Sequence, residues 1–90
     1  MPKPSEIPKN EVFHTLNRYR IRRGLPMNKF AAEIGENAGT VRDALYMYRR
    51  PNDYNAAKLY TYYAANRQDI AAVLDVTVDS LPAIPEGVPV

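Results

Sequence analysis

The stretch MNKFAAEIGENAGTVRDAL, residues 27–45, decides how this chain folds. Its first part places apolar residues, Phe30 and Ile34 among them, three and four positions apart, which is the spacing of one face of an α-helix. Gly35 follows, and glycine readily adopts the left-handed conformation in which many helices end. We therefore predict a first short helix over 27–34.

The second part of the stretch begins with the small and polar residues ENAG at 36–39, which are typical of a turn. Val41, Leu45 and Tyr48 then recur at spacings of four and three, so we predict a second helix through Tyr48. Pro51 stops it, because proline cannot continue a helix.

The segment before this pair also shows helical spacing. Asn10 is a suitable N-cap for a helix from Glu11 to about Arg23, and Gly24 closes that helix. Arg20 lies at the edge of its apolar stripe. The inward face is predicted to hold Val12, Phe13, Leu16 and Tyr19.

The segment after the pair predicts one bent helix or two separate ones, and the sequence leaves this open. Asn52 or Asp53 is positioned to begin a helix through Tyr63, and 66–68 is a candidate break before a fifth helix over 69–74. The pattern indicates a compact all-α, five-helix domain.

Proline sets the predicted ends of this domain. Residues 1–10 are predicted to be a flexible arm and residues 82–90 a proline-rich flexible tail, which leaves 11–81 as the folded domain. Among seven tyrosines, Tyr60 and Tyr63 are predicted to fill the core, while Tyr62 is a candidate for an interface.

Composition excludes several classes of function. The chain has no cysteine, and its single histidine, His14, has no nearby residues for a catalytic triad, so neither a metal site nor an enzyme is predicted. No cofactor and no small-molecule ligand are predicted either. The sequence shows no signal peptide and no run of about 18 apolar residues, so we expect a cytoplasmic protein without membrane contact.

Charge is distributed unevenly along the chain. Residues 1–50 carry ten Lys or Arg against five Asp or Glu, whereas residues 51–90 carry two against five. A local excess of positive charge attracts a polyanion such as DNA. The N-terminal half, which contains the helix pair, is therefore the predicted contact surface.

Two short helices joined by a tight glycine turn are typical of the helix-turn-helix, and the small side chain of Ala31 lets such helices approach closely. The stretch at 27–45 resembles this motif in the superfamily of the phage lambda repressor and Cro. NDYNAAKL at 52–59 resembles the loop and helix that follow it there, and IAAVLDVTVDSL at 70–81 resembles the closing helix and tail. The resemblance covers about residues 11–81.

The chain departs from the family pattern at three places. Glu36 occupies a position that is usually apolar, Ala44 one that usually holds a larger apolar residue, and 60–69 looks like an insertion. The first two departures are expected to loosen the turn. Because of the third departure, the dimer geometry of the family does not carry over to this chain.

The resemblance implies that the second helix of the pair reads base edges in the major groove. Arg42 is expected to donate to guanine, Asn37 to pair with adenine or a phosphate, and Asp43 to accept from cytosine or to orient Arg42. The predicted base-reading positions are Asn37, Ala38, Gly39, Thr40, Arg42, Asp43 and Tyr46. The predicted phosphate contacts are Asn28, Lys29, Arg49 and Arg50.

A second basic cluster, Arg18, Arg22 and Arg23, lies in the first helix, and two interpretations stay open for it. These arginines contact phosphate, or they form a solvated face with local acidic partners.

The favoured function is a Cro-like or repressor-like regulator, of phage or mobile-element type, that occupies operator DNA. A homodimer is expected, with the fifth helix and Leu81, Ile84 and Val88 as its surface. One alternative is a helix-turn-helix scaffold that binds another protein, as an antirepressor or antitoxin-like factor does. An excisionase-type architectural DNA binder ranks lower, because it needs a β-hairpin wing.

Overall fold

Residues 10–85 are described by a computed structural model, and every regular element among them is helical. The predictions about residues 1–9 and 86–90, Val88 among them, lie outside this range. The described elements are α1 (Glu11–Arg22), α2 (Met27–Ile34), α3 (Ala38–Leu45), α4 (Asp53–Ala65), α5 (Arg67–Leu74) and a short 3-10 helix (Val78–Ser80). The prediction of an all-α domain with five α-helices is confirmed for this range.

Asparagine side chains begin three of the helices. Asn10 caps α1, Asn37 caps α3 and Asn52 caps α4, and in each case Oδ1 accepts a backbone N–H of the first turn. These bonds satisfy donors that have no partner within the helix. The N-cap of α2 is Pro26, which provides no side-chain hydrogen bond to the first turn.

Left-handed residues end four of the helices. Gly24 and Gly35 follow α1 and α2 with φ of 68° and 85°, and Met47 and Asp75 follow α3 and α5 with φ of 61° and 58°. At each end the left-handed residue and the one after it donate their N–H groups back to carbonyls of the last turn. This pair of bonds is the Schellman motif.

The end of α3 corrects the prediction that this helix continues through Tyr48. α3 ends at Leu45, and the Met47 N–H donates to the Ala44 carbonyl at 3.2 Å. The Tyr48 N–H donates to the Asp43 carbonyl at 2.8 Å. The sequence conceals this end because methionine is uncommon in the left-handed conformation.

The core is built around α1, which contacts α3, α4 and α5. The predicted inward residues of α1 are all buried, and so are Phe30, Ala31, Val41 and Leu45 of the helix pair. Tyr60 and Tyr63 are 6% and 0% exposed, which confirms that they fill the core. Ala44 is buried as well, at 2% exposure, so a small residue fits closely between α3 and its neighbours.

α4 and α5 are two helices that meet at Asn66, whose side-chain amide donates to the Tyr62 carbonyl at 2.8 Å. α5 begins at Arg67, two residues earlier than predicted. Tyr62 is half-buried, and its ring packs edge-on against Phe30 with centroids 5.6 Å apart. The side chain predicted to serve an interface therefore contacts the core of its own chain.

The C-terminal segment folds back onto the core. Leu81 is 7% exposed, Ile84 packs against the buried residues, and the Tyr63 hydroxyl donates to the Pro82 carbonyl. Leu81 was predicted to take part in a dimer surface, but its side chain is used within the protomer. Among the helices of residues 10–85, none has the length and apolar character needed to cross a membrane.

Candidate nucleic-acid interface

The candidate interface is built on α3, whose two faces differ sharply. Val41, Ala44 and Leu45 are buried against the rest of the domain. Of the positions predicted to read bases, Ala38 packs against the core, whereas the Arg42 side chain is 58% exposed and Tyr46 is 43% exposed. A spacing of three or four residues puts Gly39, Arg42 and Tyr46 on one side of a helix.

The first turn of α3 is shaped by its cap. The Asn37 Oδ1 accepts the Gly39 N–H at 2.8 Å and the Thr40 N–H at 3.3 Å. A Cβ atom at residue 39 would lie 3.1 Å from that oxygen, so glycine gives the cap the room it needs. The prediction that Asn37 pairs with adenine conflicts with this bond, because bidentate pairing needs the same oxygen.

Arg42 and Asp43 form an ion pair on the outward face. The Arg42 Nη2 lies 3.3 Å from Asp43 Oδ1, and Nε lies 3.4 Å from the same oxygen. The carboxylate is in the place expected of a group that orients the guanidinium. An exposed pair of this kind contributes little to stability, so it can rearrange when a ligand binds.

Tyr46 is held by a residue that the sequence did not single out. The Arg20 guanidinium donates to the Tyr46 hydroxyl at 3.0 Å and to the Leu25 carbonyl at 2.8 Å, which joins α1, the α1–α2 loop and the end of α3. The Tyr46 ring stacks on Tyr48 with centroids 5.8 Å apart and planes 19° apart. An arginine at the edge of an apolar stripe is the only sequence signal for this contact.

Three cations near the helix pair are available to a ligand. Lys29 lies in the first turn of α2, Arg49 and Arg50 follow α3, and all three are exposed and form no ion pair with the described residues. Asn28, beside Lys29, is exposed too.

The arginines of α1 divide into two groups. Arg18 and Arg22 are exposed on the face of α1 that points away from the core. Arg23 instead pairs with Glu33 at 3.0 Å, and its guanidinium lies 5.0 Å from the centre of the Tyr19 ring. The hydrogen bond to Glu33 raises the pKa of Arg23 above its ordinary value. Arg23 thus has the local acidic partner that one interpretation of this cluster requires.

Glu36 is fixed to α4 rather than loose in the turn. Its side chain is 6% exposed, and its Oε1 lies 3.2 Å from the Lys58 Nζ. The Lys58 Nζ also donates to the Gly35 carbonyl at 3.1 Å. With its amide oriented to donate, Asn55 lies 3.2 Å from both carboxylate oxygens. The hydrogen bond to Glu36 raises the pKa of Lys58. These contacts hold Glu36 against α4, where the sequence predicted a loosened turn.

A groove of about 720 Å³ lies beside this surface, between the start of α1 and the segment that joins α3 to α4. Phe13 and Tyr60, with ring centroids 5.1 Å apart, line it together with Met47, Tyr48 and Arg49. The sequence did not predict this groove, because its walls come from distant parts of the chain. Among residues 10–85 no group of acidic or histidine side chains is arranged to hold a metal ion.

Comparisons of the chain with protein-family models, with curated proteins and with solved structures found no match.

Proposed function

We propose that the chain is a sequence-specific DNA-binding regulator with a fold of the lambda-repressor and Cro type, in which α2 and α3 form the helix-turn-helix. The observation that carries this proposal is the division of α3 between a buried face and an exposed face that presents Arg42. In such a motif the first helix crosses the phosphate backbone and the second lies in the major groove.

Arg42 is the residue that we assign to base recognition. A guanidinium donates two parallel hydrogen bonds to O6 and N7 of guanine, and in the free protein the Arg42 guanidinium contacts Asp43. The Gly39 and Thr40 N–H groups at the start of α3 donate to the Asn37 cap, so they are not assigned to a phosphate. Asn37 serves in this proposal as the cap of α3 and as a phosphate donor through Nδ2.

Sequence-independent contacts come from the cations that flank the helix pair. Lys29 approaches one strand from the start of α2, while Arg49 and Arg50 approach the backbone from the end of α3. Arg18 and Arg22 are exposed on α1, outside the helix pair, and the proposed interface does not include them.

A homodimer in the cytoplasm is part of the proposal. One recognition helix reads only a few base pairs, so two half-sites a helical turn apart provide the specificity that an operator needs. Regulation follows from occupancy, because a protein bound to an operator excludes polymerase or a competing regulator.

The test is selection of bound sequences from a random DNA pool, with the wild type and with Arg42→Ala in parallel. The wild type should enrich one motif, and Arg42→Ala should lose about 1–3 kcal/mol of discrimination at one base position of it. Failure of the wild type to enrich any motif contradicts the function. An unchanged motif for Arg42→Ala contradicts the assignment of α3.

Exposed tyrosines favour a second candidate, a scaffold that binds another protein. Tyr48 and Tyr54 are 72% and 65% exposed, and tyrosine is enriched at protein interfaces. Affinity for such a partner should depend weakly on salt, whereas DNA affinity should fall steeply. The excisionase alternative is not proposed, since residues 10–85 provide no strand for a wing.

A further inference from the structure

Three side chains fasten the turn between α2 and α3 to the first turns of α4. The Glu36 carboxylate contacts the Lys58 ammonium and the Asn55 amide, and Lys58 also donates to the carbonyl of Gly35. We call Glu36, Asn55 and Lys58 the α4 clamp. It joins residues that are about twenty positions apart in the sequence.

The α4 clamp holds Glu36, the residue directly before Asn37, and Asn37 caps the start of α3. A nearly buried carboxylate is stable only when charged or polar partners compensate its lost hydration. Glu36 is 6% exposed, so its partners on α4 hold it in one position. Asn37 follows directly and caps α3, so the position of Glu36 fixes the first turn of that helix.

We propose that the α4 clamp positions α3 for DNA, and that Glu36 and Lys58 are positioning residues of the interface. This inference rests on the proposed DNA-binding function. Neither residue contacts DNA in the proposal, and both act through the Gly35 to Asn37 turn. Substitutions in the first turns of α4 that break the clamp should therefore change the affinity for DNA.

The sign of one substitution separates this proposal from simple electrostatics. Removal of an acidic charge from a DNA-binding surface ordinarily strengthens binding, because the repulsion from phosphate falls. Glu36→Gln should instead weaken binding to the selected DNA by about fivefold, because the turn loses its charged anchor. Stronger binding by Glu36→Gln overturns the proposal.

Lys58 provides the matched test by salt titration. Lys58→Met should weaken binding by about fivefold while the slope of log affinity against log salt stays the same. Lys58→Arg should keep wild-type affinity, because arginine can still pair with Glu36. A slope reduced by about 0.9 for Lys58→Met overturns the proposal, because it makes Lys58 a phosphate contact.

The double variant provides a further check. Once Glu36→Gln has broken the clamp, adding Lys58→Met should weaken binding little more, since both residues act through one contact. Additive losses overturn the coupling. Circular dichroism melts of every variant establish that the compared proteins are folded.

The free protein tests the clamp without DNA. Amide hydrogen exchange at Gly39 and Thr40, whose N–H groups the Asn37 side chain caps, should be faster in Lys58→Met than in Lys58→Arg. Equal exchange in the two variants overturns the clamp. Faster exchange combined with a wild type that selects no DNA motif shows that the clamp exists and that the DNA-binding function is wrong.

Discussion

The proposed DNA binding has a salt dependence that follows from the number of unpaired cations flanking the helix pair. Arg23, Arg42 and Lys58 are paired with carboxylates. Lys29, Arg49 and Arg50 are exposed and form no ion pair with the described residues. Three phosphates neutralised per protomer predict a slope of log affinity against log salt of about −2.7 for a monomer and about −5.4 for a dimer.

Substitution of one of these cations should change the slope by a fixed amount. Arg49→Gln should flatten the slope by about 0.9 per protomer and weaken binding to all DNA sequences alike. Arg18→Gln is the charge-matched control, because Arg18 is exposed on α1 and lies outside the proposed interface; the slope for this variant should equal that of the wild type.

Fluorescence anisotropy with labelled operator DNA between about 50 and 200 mM salt measures these slopes. Over that range a dimer should lose affinity by a factor on the order of 10³, and a monomer by about 40. Equal flattening by Arg18→Gln and Arg49→Gln would refute the assignment of the contact surface to the ends of the helix pair. A wild-type slope near zero would refute DNA as the ligand.

Three further predictions concern stability. Asp75 has φ of 58° and a negative charge at the C-terminal end of α5, so Asp75→Gly should raise the free energy of unfolding by about 1 kcal/mol and Tm by about 4–8 °C. Asp75→Ala keeps the unfavourable conformation, and thermal denaturation that shows it to be as stable as Asp75→Gly would contradict this reasoning. Ala31→Leu should cost about 1–3 kcal/mol in urea denaturation, because Ala31 is 1% exposed between α2 and its neighbours; no loss would mean that the helices can separate. Burial raises the pKa of Tyr19, Tyr62 and Tyr63 above the ordinary 10.0, so the folded state holds these protons more tightly than the unfolded one. The stability they provide should be complete below about pH 10 and lost as pH rises through the raised values, and tyrosinate absorbance from these three hydroxyls in the folded protein below pH 10 would disprove it.

The helices of this domain were largely predictable because their determinants are local. The spacing of Phe30 and Ile34 and the glycine after them predict α2 with its observed bounds. The end of α3 was not predictable, since Met47 adopts a left-handed conformation that the sequence favours only for residues such as glycine and asparagine.

The candidate site was likewise predictable where its determinants are local and not predictable where they are distant in the sequence. An exposed Arg42 beside a buried Val41 follows from helical periodicity alone, which makes the outward face of α3 visible in the sequence. The contact of Arg20 with Tyr46 joins residues 26 positions apart, and no local pattern indicates it. The sequence predicted that Asn37 pairs with a base. Its role as the cap of α3 depends on the geometry of the turn, which the sequence does not show.

The amino-acid sequence by itself determined the class of fold, the bounds of α2 and the excess of positive charge in the N-terminal half. These depend on residue spacing and composition, which a chain carries before it folds. Only the tertiary structure decided which charges are paired, because pairing depends on which helices meet. Glu36 shows the difference: in the sequence it is a charged residue where an apolar one is usual, and in the fold Lys58 and Asn55 make it the anchor of the turn between α2 and α3.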